Sequence, residues 1–162
     1  MEIENQKKTI FINKMRYITV IAFIVLLVVM LTTDMIKGEF LGLTRYHWAI
    51  LLSLIYLGQN VFEYLKDYNY IYFIDAENKM LFRYIPLSPF KSKRYSIEIH
   101  KNEFHGYKIN RSSVLKKELI LFVKTPQGIA KYPPISISAL NETEFNKLKK
   151  ALNQNLSQNL QQ

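Results

Sequence analysis

Cysteine is absent from the 162 residues, so disulfides, thiolate ligands and thiol nucleophiles are excluded, while the redox compartment stays open. Glycine is scarce, at five positions, and no glycine-rich phosphate loop, nucleophile elbow or paired acidic motif occurs. Nucleophilic and general acid–base catalysis need a base beside an activated hydroxyl, or a carboxylate pair, so the expectation is a protein that is not an enzyme and that uses no cofactor. Charge is missing in two places: Tyr17–Thr33 and Tyr46–Phe62 contain no Asp, Glu, Lys or Arg. A helix of that length rises about 26 Å, close to the roughly 30 Å hydrocarbon core of a bilayer. Each run is therefore expected to span a membrane, with slight thinning or flanking adjustment.

Lys7, Lys8, Lys14 and Arg16 precede the first run, a distribution shared with the n-region of a signal peptide. No small-x-small cleavage site follows Leu31 and a second apolar run comes soon after, so a retained helix is expected. Ser53, Gln59 and Asn60 interrupt the second run and leave a buried core helix as its alternative. Its flanks favour the membrane, and Tyr17, Tyr46, Trp48 and Tyr64 are the expected interface anchors. Residues 34–45 read as a short exposed turn whose only bases are Lys37 and Arg45, so charge bias puts both termini in the cytoplasm. Ala22, Ala49, Ser53 and Gly58 are small enough to let two antiparallel helices, or a third helix from another subunit, approach closely. The abundance of Ile, Asn, Lys and Tyr fits an AT-rich genome, hence a bacterium and its inner membrane.

The formal net charge of +9 is concentrated after the second run, where residues 65–162 hold 16 Lys and Arg against 8 Asp and Glu. A basic region tethered at a bilayer is drawn to anionic lipid by about 1 kcal/mol per nearby cation, so membrane lipid fits this charge better than nucleic acid does. Short apolar segments bounded by turn residues recur here and predict about seven strands. Tyr70–Ile74 and Met80–Ile85 form a hairpin, ended by Pro86 and Pro89. Tyr95, Ile97 and Ile99 alternate with Ser96, Glu98 and His100, and Phe104–Ile109 is expected to return antiparallel after residues 101–103. Glu118–Lys124 closes at Pro126, Gln127 and Gly128, and Ile129–Tyr132 and Ile135–Ser138 follow, divided by Pro133 and Pro134. A helix then starts with Asn141 as N-cap, Glu144 completing a capping box and Leu140 stapled against Phe145. Phe145, Leu148, Leu152 and Leu156 form its apolar stripe, and the Gln/Asn-rich stretch from Asn153 is expected to fray.

The chain thus divides into a cytoplasmic segment 1–16, a two-helix transmembrane hairpin 17–64, a small β-rich domain 65–156 with a C-terminal capping helix, and a flexible tail 157–162. This layout, with the stretch Ile135–Leu152 as its most specific part, resembles the small bacterial two-span membrane proteins that carry a C-terminal pleckstrin-homology-like domain. The resemblance implies a module for protein contact or assembly.

Two groups of residues are candidates for contact or chemistry. Lys91, Lys93, Arg94, Lys101, Lys108, Arg111, Lys116 and Lys117 form a candidate basic surface for lipid or a partner, with a solvated charged face as the plainer reading. Glu98, His100, Glu103 and His105 have metal-ligand character, but exposed polar strand residues explain their spacing and no metal is assigned. The leading expectation is a non-catalytic accessory or scaffold subunit of a larger membrane assembly, whose partners are other membrane-protein subunits. The alternative is a membrane-surface sensor of anionic lipid, and no small-molecule substrate is identified.

Overall fold

The computed structural model describes residues 1–32, 44–88, 93–111 and 115–160. They form two compact units, one of Met1–Ile10 with Leu65–Gln162 and the other Phe11–Tyr64. The turn expected at 34–45 lies outside the described residues up to position 43, as do Thr33, Pro89 and Lys91.

The Phe11–Tyr64 unit consists of α1 (Gln6–Thr32), whose first turns belong to the other unit, and α2 (Arg45–Lys66). Both are long and apolar enough to cross a membrane, and no residue of their most apolar stretches is buried. Ile18, Ile21, Ile24, Val25 and Leu26 all lie exposed, so α1 is oily around its circumference, the pattern of a helix solvated by lipid rather than by a core. At 27 residues α1 rises about 40 Å, longer than the roughly 30 Å a bilayer core requires. The helix therefore begins well before the apolar run that announced it.

Among the described residues the β-rich unit has eight strands in two antiparallel sheets with no closed barrel. The first sheet runs β1 (Glu2–Glu4), β2 (Asn69–Asp75), β3 (Lys79–Pro86), β4 (Tyr95–His100) in that order. In the second, β6 (Lys117–Thr125) lies between β5 (Phe104–Arg111) on one side and β7 (Gly128–Lys131) and β8 (Ile135–Ser136) on the other. Seven of these strands follow the sequence pattern, and β1 is additional. Its register places Ile3 opposite Phe73, Phe73 opposite Phe82 and Phe82 opposite Ile97, so one buried row crosses the whole first sheet. Each such side chain removed from water contributes about 1.5–3 kcal/mol, enough to recruit a three-residue strand that propensity alone does not announce.

Phe104–Ile109 does not return along β4 as expected. A 3₁₀ turn at Lys101–Glu103 carries the chain into the second sheet, where β5 pairs with β6. Lys101 fixes that turn, its amide donating to Asn78 O at 3.0 Å and its Nζ lying 2.8 Å from Asp75 Oδ1. Phe104 then drops into the core with no exposed surface. A two-layer core needs a second apolar sheet face, and Phe104, Leu119, Leu121 and Val123 supply it.

α3 (Glu142–Leu160) closes the core through Leu148, Ala151 and Leu152. The capping box is present: the Glu144 amide donates to Asn141 Oδ1 and the Asn141 amide to Glu144 Oε2, both at 2.8 Å. The helix continues to Leu160 where fraying was expected from Asn153. Asn155 is the reason, being buried with its Nδ2 donating to Ala151 O at 2.8 Å and to Asp75 Oδ1 at 3.3 Å, while Leu156 packs against the core.

Candidate functional site

Half-buried positions recur three or four residues apart on α1, at Arg16, Thr19, Phe23, Leu27 and Met30, and on α2 they include Ala49, Leu52, Ser53, Tyr56 and, two turns on, Glu63. Phe23 stacks on Tyr56 with ring centroids 4.1 Å apart, and Arg16 Nε lies 3.6 Å from Glu63 Oε2. Of the four small residues expected to bring the helices together, Ala49 and Ser53 lie on this half-buried face. Ala22 and Gly58 are exposed, and a Cβ built at Gly58 meets nothing within 4 Å. Ala22 and Gly58 therefore lie off the half-buried face formed by the described residues of the two helices.

Four uncharged polar side chains in this unit bond to their own helices. The Thr19, Thr32 and Ser53 hydroxyls donate to the carbonyls four residues earlier, at 2.7, 2.7 and 2.8 Å, and Asn60 Nδ2 donates to Tyr56 O at 2.7 Å. Such back-bonding satisfies a donor without water, which suits an apolar medium. Among the expected anchors Tyr17, Tyr46 and Tyr64 are exposed, whereas Trp48 is half-buried.

The candidate basic surface is divided. Lys101 is held by Asp75, and Lys116 Nζ lies 3.0 Å from Asp67 Oδ2 and 2.9 Å from Glu118 Oε1. Burial works to lower the Lys116 pKa, but the hydrogen bonds to Glu118 and Asp67 outweigh it and the net shift is upward. Asp67 itself turns the chain out of α2 in a left-handed conformation (φ 46°) that non-glycine residues rarely adopt. Lys93, Arg94, Lys108, Arg111 and Lys117 are exposed. Lys93 and Arg94 precede β4 in the first sheet, the others belong to the second, and Lys108 lies on the opposite face of β5 from Arg111. The seven described cations are thus not one surface, because strand alternation and two ion-paired sites divide them.

Arg111 and Lys117 do come together. They are directly opposite across β5 and β6 and line a groove of about 400 Å³ with Ile137, Leu140, Glu142 and Phe145. Lys117 Nζ lies 5.6 Å from the centre of the Phe145 ring, and the Lys117 amide donates to Ser138 Oγ at 3.0 Å. Glu98 and His100 share a strand face, but Glu98 Oε1 accepts from Lys79 Nζ at 2.7 Å, and that bond holds the Glu98 carboxyl below its usual pKa. Among the described residues no three His, Cys, Asp or Glu side chains gather as a metal site.

One polar cluster escaped the sequence reading. Asn5, at the entrance to α1, is buried, and its Nδ2 donates to Asn69 O at 3.0 Å while its Oδ1 accepts from the Ile71 amide at 2.8 Å. Asn69, also buried, donates from Nδ2 to Ser136 O at 3.1 Å and so ties β2 to β8. Asn69 Oδ1 has no hydrogen-bond partner among the described residues. An asparagine ahead of a helix signals an N-cap in sequence, but nothing there shows that its carboxamide reaches another strand. Comparison with family models, curated proteins and solved structures returned no match for this chain.

Proposed function

We propose that this chain is a non-catalytic accessory or scaffold subunit of the bacterial inner membrane, whose hairpin and β domain both make protein contacts within a larger assembly. The observation that carries this reading is topological: the two membrane-length helices are inserted between β1 and β2, which are neighbours in one sheet. A domain whose first and second strands are the two ends of a membrane hairpin is held at the bilayer by two chain crossings. That arrangement suits a fixed position in a complex. Pairing of β1 with β2 supports a hairpin whose two ends lie on the same side of the bilayer, and the bases flanking the hairpin favour the cytoplasmic side.

Eight antiparallel strands in two sheets closed by a C-terminal helix support the pleckstrin-homology-like reading of the domain. The ion pairs Lys79–Glu98, Lys101–Asp75 and Lys116–Asp67 engage side chains that an acid–base mechanism would need free. Solubilising native membranes in mild detergent should co-purify the chain with partners in fixed stoichiometry. Repeated recovery as a lone monomer would sink the proposal.

A second reading, recognition of anionic lipid, is favoured by one observation: Lys93, Arg94 and Lys108 are exposed and have no carboxylate partner among the described residues. Binding of the intact chain to anionic vesicles should then weaken steeply as salt rises, and absence of binding at low salt would remove it.

A further inference from the structure

We infer that the groove framed by Arg111 and Lys117 receives an acidic segment of a partner protein, one carboxylate side chain beside one apolar side chain. The inference rests on the accessory-subunit reading and names the surface and the partner's chemistry. Antiparallel register places the two cations opposite each other on one face of β5 and β6, where Cα atoms are about 4.5–5.5 Å apart. Both heads can therefore reach the same carboxylate, Arg111 as a two-pronged donor and Lys117 as a point charge. Neither has a carboxylate partner in the described residues, in contrast to Lys101 and Lys116.

The remainder of the groove is mixed, with Leu115, Ile137, Leu140 and Phe145 beside the polar Ser138, Asn141, Glu142 and Asn146. Ile137 and Leu140 are buried and Phe145 is half-buried, so the apolar contact that the groove offers comes chiefly from the Phe145 ring. A volume of about 400 Å³ is at the small end of ligand sites, which run to about 300–1,000 Å³, and matches an anchor of one or two residues. The first turn of α3 supplies no anion site of its own. Asn141 Oδ1 already accepts from its Glu144 amide, and Glu142 adds negative charge to the rim. With that carboxylate, two cations and one anion leave a single net positive charge, which one carboxylate of a ligand neutralises.

The full-length chain in nanodiscs of zwitterionic lipid is titrated into a fluorescently labelled peptide of alternating glutamate and leucine, with anisotropy as the readout. Saturable binding is expected, weakened about tenfold or more in the Arg111→Gln, Lys117→Gln double variant, which keeps the thermal midpoint of the parent because both side chains are exposed. Lys93→Gln with Arg94→Gln should leave binding within about twofold, and Glu142→Gln should tighten it by about twofold through loss of repulsion. Failure of the peptide to bind, or binding that the Arg111 and Lys117 changes leave intact, overturns the inference. So does loss of anionic-vesicle binding in that double variant with peptide binding unchanged, which would assign the groove to a lipid headgroup. Co-purification separates the two levels: failed peptide binding with partners still recovered sinks the groove and spares the accessory-subunit reading, whereas a lone chain sinks that reading whatever the peptide does.

Discussion

The β-rich unit turns its apolar residues inward and the hairpin turns them outward, and this inversion organises the rest of the molecule. In the β unit Phe73, Phe82 and Phe104 are wholly buried and the strand ladders pair the backbone. In the hairpin Ile24, Leu54 and Ile55 face out, while charge and aromatic stacking gather on the seam at Arg16, Glu63, Phe23 and Tyr56. Burial stabilises the first against water at about 25 cal/mol per Å² of apolar surface, whereas two helices long and apolar enough to cross a membrane would, in lipid, have packing and polar contacts in place of that driving force. The same apolar truncation should therefore have very different consequences in the two units.

The largest expected effect tests that statement directly. Phe73→Ala should destabilise the β unit by about 3–5 kcal/mol, because a wholly buried ring leaves a cavity that two sheets cannot collapse. Leu54→Ala, at a residue 60% exposed, should leave the unfolding midpoint of the detergent-solubilised chain unchanged. Equal losses in denaturant titrations would erase the contrast. Next comes Asn5→Ala, expected to cost about 1–3 kcal/mol because it strips the Ile71 amide and Asn69 carbonyl of buried partners. Hydrogen exchange should show faster exchange at Ile71 and in β1 while the β5–β6 ladder keeps its protection. Unchanged protection of β1 would mean that the ladder alone holds it.

The contrast also explains what the sequence disclosed. The two apolar runs, the alternation of Tyr95–His100 and the capping box at Asn141 are local signals, and each appears in place. Strand β1 has one apolar residue, Ile3, between two glutamates, so its pairing depends on Phe73, seventy positions away in sequence. The sheet switch at residues 101–103 is equally non-local, since it follows from the need of two apolar faces to meet. Of the candidate contact residues, charge type was legible, but their grouping was not. Strand parity separates Lys108 from Arg111, and register joins Arg111 to Lys117.

Smaller effects sharpen the comparison. Asn141→Ala removes a cap bond from the Glu144 amide and should cost the β unit about 1 kcal/mol, read as a lower midpoint with hairpin helicity unchanged. On the seam, a double-mutant cycle of Arg16→Gln and Glu63→Gln should give a coupling of about 0.2–1 kcal/mol, because both side chains remain partly exposed and the pair is long at 3.6 Å. A coupling several times larger would show that the hairpin depends on its charges as heavily as the β unit depends on its core.

Alkaline pH should separate the two units as well. Burial, and then a 2.6 Å hydrogen bond donated to Glu4, push the Tyr70 pKa up to about 12, and burial also raises Tyr84 and Tyr107. Tyrosines in the unfolded chain ionise near about pH 10, so above that value the unfolded state loses protons that the folded state retains. Stability is therefore level below about pH 10 and falls as pH rises toward the folded pKa. Lys116, also raised, adds to the fall in the same direction. Tyr70→Phe isolates one contribution: it should flatten the decline of the β signal between about pH 10 and 12, while helical signal from the hairpin persists in micelles throughout. An identical decline in the variant would remove Tyr70 as the group that links β1 to alkaline unfolding.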